Sequence, residues 1–326
     1  MPKARVRFWS AASLLAPLIG CTPSGDETPA KNSPGIDVAV SVDVVYGHKM
    51  GMALTFDVYQ PQGSNGAAVL FINSGGYVSP AYSVQNEAVE SSGHRFISKE
   101  EIPIEWHQQF SFEDLLAEGF TVFDIRHGSS PKFTLPEIVD DVRSAVRFVR
   151  AHAGKFQLDA DRIGVWGPSA GGYLALMLGS SGDEGDATSP DPVARASSRV
   201  KAVAAYYPAD VDFAALARLN PALSERLLQT LPALQIEPEV LETFVLRHHV
   251  SDDDAPVLII YPEGDPLTAD CEGMYAAFQS HGVESSVIAI SGTGHVFMLD
   301  GVYHPHHAER AMAEMVAWFQ QHLLGL

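Results

Sequence analysis

Apolar and polar residues alternate along this chain in two rhythms. Residues 37–46 (DVAVSVDVVY) and 52–60 (MALTFDVYQ) alternate apolar and polar residues, as half-exposed strands do, and predict an antiparallel entry pair. Short apolar runs then recur at 67–72, 120–125, 162–166, 200–206, 256–261 and 285–290, bounded by Gly, Pro or Asp. Runs of that kind suit strands covered on both faces of a parallel sheet. The segments between them carry a helical period. The clearest is 136–153, where Pro136 opens the first turn with Glu137 and Asp140 nearby, and Ile138, Val142, Ala145, Val146 and Val149 form one stripe. Further helices are predicted near 112–118 and at 169–180, 268–282 and 306–323. Eight strands joined by crossover helices predict an α/β fold, doubly wound, with a mostly parallel eight-stranded sheet and helices on both faces. Two connections, 74–111 and 208–250, exceed ordinary turns and predict lids or binding walls. Within the second, apolar helical stretches fall at Leu223–Leu231 and Val240–Val245.

The first 36 residues keep neither rhythm. Lys3, Arg5 and Arg7 precede a mostly apolar stretch, Phe8 to Ile19, too short to span a bilayer as a stable helix. Its ending, Leu18-Ile19-Gly20-Cys21, resembles a bacterial lipobox, which implies a lipoprotein signal peptide over 1–20 and acylation of Cys21. A plain signal peptide with Cys21 incidental is the rival reading. Residues 21–36 hold Pro, Ser, Gly and Thr and read as a tether to a domain over 37–326. The expected location is the cell envelope, lipid-anchored in the outer membrane or periplasm, or secreted. With 326 residues, 46% of them hydrophobic, the chain can bury a large core. Twenty-one basic against 40 acidic residues give −19, the wrong sign for attraction to nucleic acid. Cys21 and Cys271 are the only cysteines, so no disulfide scaffold is present, and with Cys21 acylated Cys271 stays a free thiol.

Candidate chemistry centres on Gly167-Pro168-Ser169-Ala170-Gly171-Gly172. This GxSxG comes after an apolar strand and opens a helix, the strand–turn–helix setting that lifts a serine above the strand ends. Gly167 and Gly171 answer the tightness of such a turn. A serine hydroxyl becomes nucleophilic when a base takes its proton, so a histidine oriented by a carboxylate is required. His295, in the small-residue loop after the last strand, and Asp265, just after the preceding strand, fall on the same rim as Ser169. Glu263 is the competing acid. Asn73-Ser74-Gly75-Gly76-Tyr77 comes directly after the run at 67–72, where Gly75 and Gly76 together with Ala170 can donate N–H groups to a developing oxyanion. His304-Pro-His306-His307 and His248-His249 read more simply as exposed surface than as metal ligands. Cys271 lacks a basic neighbour and makes a poor nucleophile.

These residues resemble the α/β-hydrolase superfamily, in its esterase/lipase branch near feruloyl-esterase-like and prolyl-oligopeptidase-like hydrolases. The resemblance spans about 40–325 and is most specific over 129–179. It implies the α/β-hydrolase fold with lid insertions, Ser169 as nucleophile, Asp265 and His295 as its partners, and Gly75, Gly76 and Ala170 as the oxyanion hole. One departure is that Asn73-Ser74-Gly75-Gly76 stands where the family has His-Gly-Gly-Gly. No metal or organic cofactor is implied. The expected activity is that of a serine carboxylic-ester hydrolase working through an acyl-enzyme on short-chain or aryl esters, small-molecule or polysaccharide-linked, outside the cytoplasm. An aminopeptidase-like serine peptidase and a non-catalytic binding lipoprotein of the same fold are the rivals. Tyr77, Tyr82, Trp106, Phe110 and Phe213 are candidate pocket walls.

Overall fold

A computed structural model of the chain describes residues 36–80 and 110–326. Residues 1–35, with the signal segment, Cys21 and all of the tether but Ile36, the candidate walls Tyr82 and Trp106, and most of the first insertion lie outside the described residues. All eight predicted strands form. They are β1 (Val38–Lys49), β2 (Met52–Pro61), β3 (Ala68–Ile72), β4 (Thr121–Arg126), β5 (Ile163–Pro168), β6 (Ala202–Tyr206), β7 (Val257–Pro262) and β8 (Ser285–Ile290). They join one sheet in the order β1-β2-β4-β3-β5-β6-β7-β8. β2 runs antiparallel to both neighbours, and every pair from β4 to β8 is parallel. β1, the edge strand, alternates half-buried and exposed residues, whereas β2, paired between β1 and β4, is mostly buried. The β1–β2 turn is Met50-Gly51 with φ of 49° and 81° at its two central positions, the left-handed pair that a two-residue hairpin needs.

The helices are α1 (Glu113–Ala117), α2 (Leu135–Ala151), α3 (Ala170–Ser181), α4 (Phe213–Leu219), α5 (Pro221–Thr230), α6 (Pro238–Glu242), α7 (Thr268–Ser280) and α8 (Pro305–Phe319). In α2 the Glu137 carboxylate accepts from the Thr134 N–H at 2.9 Å, closing the first turn, and the whole predicted stripe is buried. α8 ends four residues before the sequence pattern does, because Gln320–Leu324 winds into a π turn. Both faces of the sheet are covered, and side chains alternate between faces along each strand. A Cβ on Gly164 of β5 would meet the Phe319 ring of α8 at 2.7 Å, while Gly179 of α3 lies against Val203 of β6. Val203 is level with Val165, so α3 and α8 lie on opposite faces. Phe110 is core rather than pocket wall: its ring lies 5.6 Å from Phe71 and 6.2 Å from Trp166. Among the described residues, no helix is long and apolar enough to cross a membrane.

Candidate active site

Parallel strands bring the loops at their carboxyl ends to one rim, and those after β3, β5, β7 and β8 carry the candidate residues there. Ser169 joins β5 to α3 with φ 51° and ψ −119°, a conformation that an L-residue holds only under constraint from its surroundings. The constraint is steric. A Cβ on Gly171 would sit 2.2 Å from the Ile72 carbonyl oxygen, and one on Gly167 would sit 2.7 Å from the Gly171 backbone. The Ser169 N–H donates to Tyr206 O at 2.8 Å and Gly171 N–H to Ser74 O at 3.1 Å, tying the elbow to both neighbouring strand ends. Ala170 is the first helical residue, so its N–H has no intrahelical acceptor.

The structure brings Asp265 and His295 together. His295 Nδ1 lies 2.6 Å from Asp265 Oδ2, and the carboxylate side chain is fully buried while the imidazole is 35% exposed. Asp265 Oδ1 accepts from Leu267 N–H at 2.9 Å, which fixes the carboxylate plane. The competing acid, Glu263, is exposed, and among the described residues the ion-pair partner of His295 is Asp265. The two loops are joined by Gly264 N–H to Thr293 O at 3.0 Å, and a Cβ on Gly264 would stand 2.8 Å from that oxygen. Against the imidazole lies Tyr207, a buried residue with φ 37°, its ring centroid 4.8 Å away and roughly edge-on. The chain pattern marks neither Tyr207 nor the Gly264 approach. The sequence signal for both is weak, since a Tyr ending an apolar run and a Gly before Asp265 have many ordinary uses.

Ser169 and His295 line the same cavity of about 300 Å³. Among the described residues no hydrogen bond joins the serine hydroxyl to the imidazole. Gly76, Tyr77 and Ala170 line the cavity beside the serine. Gly76 has φ 56° and Tyr77 φ 64°, both in the left-handed region. The Gly75 N–H instead donates to Val78 O at 3.1 Å, so Gly76 is the loop glycine that faces the cavity. The opposite wall comes from the second insertion: Phe213 of α4, Leu223 and Leu227 of α5, then Leu231 and Leu234. Phe213 thus stands in the wall, joined by four leucines, three of them from the apolar stretch at Leu223–Leu231. The insertion is moored by Tyr173 OH, which donates to Phe244 O at 2.5 Å, and by an ion pair between Arg247 and Asp212.

Acidic groups crowd beneath the rim. Burial first, then the charges of Asp210 and Asp265, push the Asp270 carboxyl up to about 7, and its Oδ2 is buried with no hydrogen-bond partner. Burial likewise raises Asp210, which accepts from the Val211 and Leu246 N–H groups at 2.7 and 3.1 Å. Cys271 is buried, and its thiol is pushed up by burial and then by Asp265 and Asp270, which keeps it protonated and unreactive.

The sequence profile of the BD-FAE family matches residues 56–277, which include Ser169 and Asp265 and stop short of His295. An ethyl acetate hydrolase of Pseudomonas putida is 25% identical over 287 residues, covering 84% of this chain and 80% of that protein. A probable carboxylic ester hydrolase of Mycobacterium tuberculosis is 25% identical over 62% of this chain, which spans 48% of that protein. In fold, the chain is similar to an acetyl ester-xyloside bifunctional hydrolase of Caldicellulosiruptor lactoaceticus, with TM-score 0.64, 21% identity, and coverage of 86% of this chain and 95% of that one. It is also similar to a thermophilic esterase of Thermogutta terrifontis in its propionate-bound form, with TM-score 0.59, 21% identity, and coverage of 87% and 94%. These structures share the α/β-hydrolase fold, as the sequence implied.

Proposed function

The chain belongs to the BD-FAE family of esterases and is a serine ester hydrolase, and from that premise we propose that Ser169, His295 and Asp265 are its catalytic triad. The observation that carries the assignment is the 2.6 Å contact of His295 Nδ1 with the buried Asp265 carboxylate, at the cavity that Ser169 also lines. An ionised carboxylate can only accept, so Nδ1 carries the proton and Nε2 presents its lone pair. The serine–imidazole contact closes when substrate fills the cavity, as catalytic hydrogen bonds commonly tighten on binding.

Nε2 takes the Ser169 hydroxyl proton as Oγ attacks the ester carbonyl carbon. The oxyanion accepts from the Gly76 and Ala170 N–H groups, with Gly75 setting the turn through Val78. Collapse breaks the bond to the leaving alcohol oxygen, which takes the proton from Nε2. Water then attacks the acyl-enzyme, gives its proton to Nε2, and the acid leaves as Ser169 Oγ recovers that proton.

The leucine-rich wall and a volume of about 300 Å³, near the lower end for ligand pockets, favour a short acyl chain or a single aromatic ring. The substrates are accordingly short-chain or aryl esters, free or carried on a polysaccharide. We further assign residues 1–20 as a lipoprotein signal and Cys21 as the acylated anchor in the cell envelope, on the basic residues and Leu18-Ile19-Gly20-Cys21; the mass of the processed N-terminal peptide tests it. For the enzyme, hydrolysis of p-nitrophenyl esters from acetate to palmitate is the test, with Ser169→Ala alongside. Activity confined to short chains and lost by about 10⁶-fold in the variant is expected. Full activity in Ser169→Ala removes the triad assignment, and a preference for palmitate removes the short-chain reading.

A further inference from the structure

Three imidazoles stand together where the hairpin after His295 runs into the last helix. His304 precedes α8, and His306 and His307 lie in its first turn. Their nearest ligand nitrogens all fall within 4.8 Å of one another. The ring centroids of His306 and His307 are 3.9 Å apart, and that of His304 lies 5.8 and 5.6 Å from them. Backbone bonds fix this spacing: His307 N–H donates to His304 O at 3.0 Å, and His304 N–H to Phe297 O at 3.1 Å.

The side chains themselves are uncommitted. His127, His152, His249, His281 and His295 each place a ring nitrogen against a carbonyl or carboxylate oxygen. Among the described residues, no such bond and no ion pair engages the rings of His304, His306 or His307, which lie against one another. Imidazole nitrogens gathered this closely form a donor set for borderline divalent metals such as zinc, copper or nickel, and a poor one for magnesium or calcium.

We propose that His304, His306 and His307 form a binding site for a divalent transition metal of the zinc class. Tetrahedral zinc holds nitrogens at about 2.0–2.1 Å, which brings ligand nitrogens to about 3.4 Å from each other. The exposed His306 ring reaches that separation by side-chain rotation, and water completes the fourth position. The chain's net charge of −19 draws cations in, while the positive end of α8 and nearby Arg310 oppose them, so binding is weaker than at closed four-ligand sites.

The site's position gives it a mechanical role. Gly294 N–H donates to Met298 O at 2.8 Å, Met298–Leu299 pairs with Val302–Tyr303, and His304 is tied to Phe297. A metal on the three imidazoles clamps the downstream end of this hairpin to the start of α8, and the hairpin's upstream end is the loop that holds His295. The clamp is independent of the ester chemistry and adds a brace to the loop that carries its base.

The test is calorimetric titration of the intact chain with ZnCl₂ at pH 7.5, paired with cobalt(II) absorption spectra. His306→Gln and the triple His304→Gln/His306→Gln/His307→Gln are run beside it, and circular dichroism and ester hydrolysis without metal report their folding. One saturable zinc per chain is expected, with a nitrogen-ligand cobalt spectrum, affinity at least about tenfold weaker in His306→Gln, and loss of both signals in the triple variant. A thermal midpoint raised by several degrees in wild type alone accompanies it. No saturable binding by wild type overturns the site, as does undiminished binding in His306→Gln together with the folded triple variant. If the triple variant fails to fold, His306→Gln alone decides, since its exposed ring can be exchanged without disturbing the core.

Discussion

Asp270 is a carboxyl that the fold would rather hold neutral, and replacing it with asparagine puts a number on that preference. Its ordinary value is 3.8, and burial together with Asp210 and Asp265 lifts it to about 7. The folded-state pKa lies above the unfolded one, so the native protein binds the extra proton between the two values. The stability that Asp270 permits is therefore complete below about pH 4 and is lost as pH rises through 7. The gap of about 3 pKa steps, at about 1.36 kcal/mol each, sets an upper figure of about 4 kcal/mol at pH 8. Asp270 is only half-buried overall, and water at its edge brings the expected gain from Asp270→Asn to about 2–4 kcal/mol. Near pH 3.5, below both pKa values, the variant and the wild type should be nearly equal. Thermal or urea unfolding at both pH values measures the difference, and for a domain of this size a few degrees of midpoint shift per kcal/mol is readable. An equal gain at both pH values, or none at pH 8, refutes the reasoning, because the effect would then not come from ionisation.

The same geometry sets further outcomes. Burial keeps His127 down to about 4, below its ordinary 6.5, so its contribution is present above pH 6.5 and lost as pH falls toward 4, about 3 kcal/mol in all; pH-dependent unfolding in the Asp270→Asn background, with and without His127→Asn, reads it. Asp265→Asn should lower kcat by about 10⁴-fold with little change in fold, as checked by ester kinetics and circular dichroism, because the imidazole loses its orienting acceptor. Gly171→Ala forces a Cβ to 2.2 Å from Ile72 O, and both soluble yield and kcat should fall while Ala175→Gly on the same helix leaves kcat within about threefold. Leu227→Ala should raise kcat/KM for p-nitrophenyl octanoate relative to acetate by about tenfold, since it opens the wall facing Ser169.

Much of this architecture is legible in the chain because its cues are local. Each strand run announces itself, the stripe from Ile138 to Val149 falls on one buried face, and the glycines around Ser169 mark a turn whose crowding the structure makes explicit. Long-range partnerships are less legible. Arg126 reaches Asp57, 69 positions away, in a buried ion pair that joins β4 to β2, and nothing near either residue signals the other. The oxyanion loop shows the same limit at short range. Gly75 and Gly76 are equivalent as letters, and only the Gly75–Val78 pairing decides which one faces the cavity. Phe110 and Phe213 are likewise equivalent aromatics in insertions, yet one packs on Trp166 and the other lines the cavity beside Ser169. What separates them is the position of the backbone in three dimensions.

The central claim is that Ser169 is the residue acylated during turnover. Reaction of the protein with a diethyl phosphoryl ester reagent, with peptide mass mapping afterwards, tests it most directly, because a phosphorylated serine mimics the acyl-enzyme and does not hydrolyse readily. The account predicts one diethyl phosphoryl group per chain, on the peptide holding Gly167-Pro168-Ser169, gained in step with the loss of esterase activity. Inactivation with the label on another residue, or a labelled Ser169 with activity intact, contradicts it.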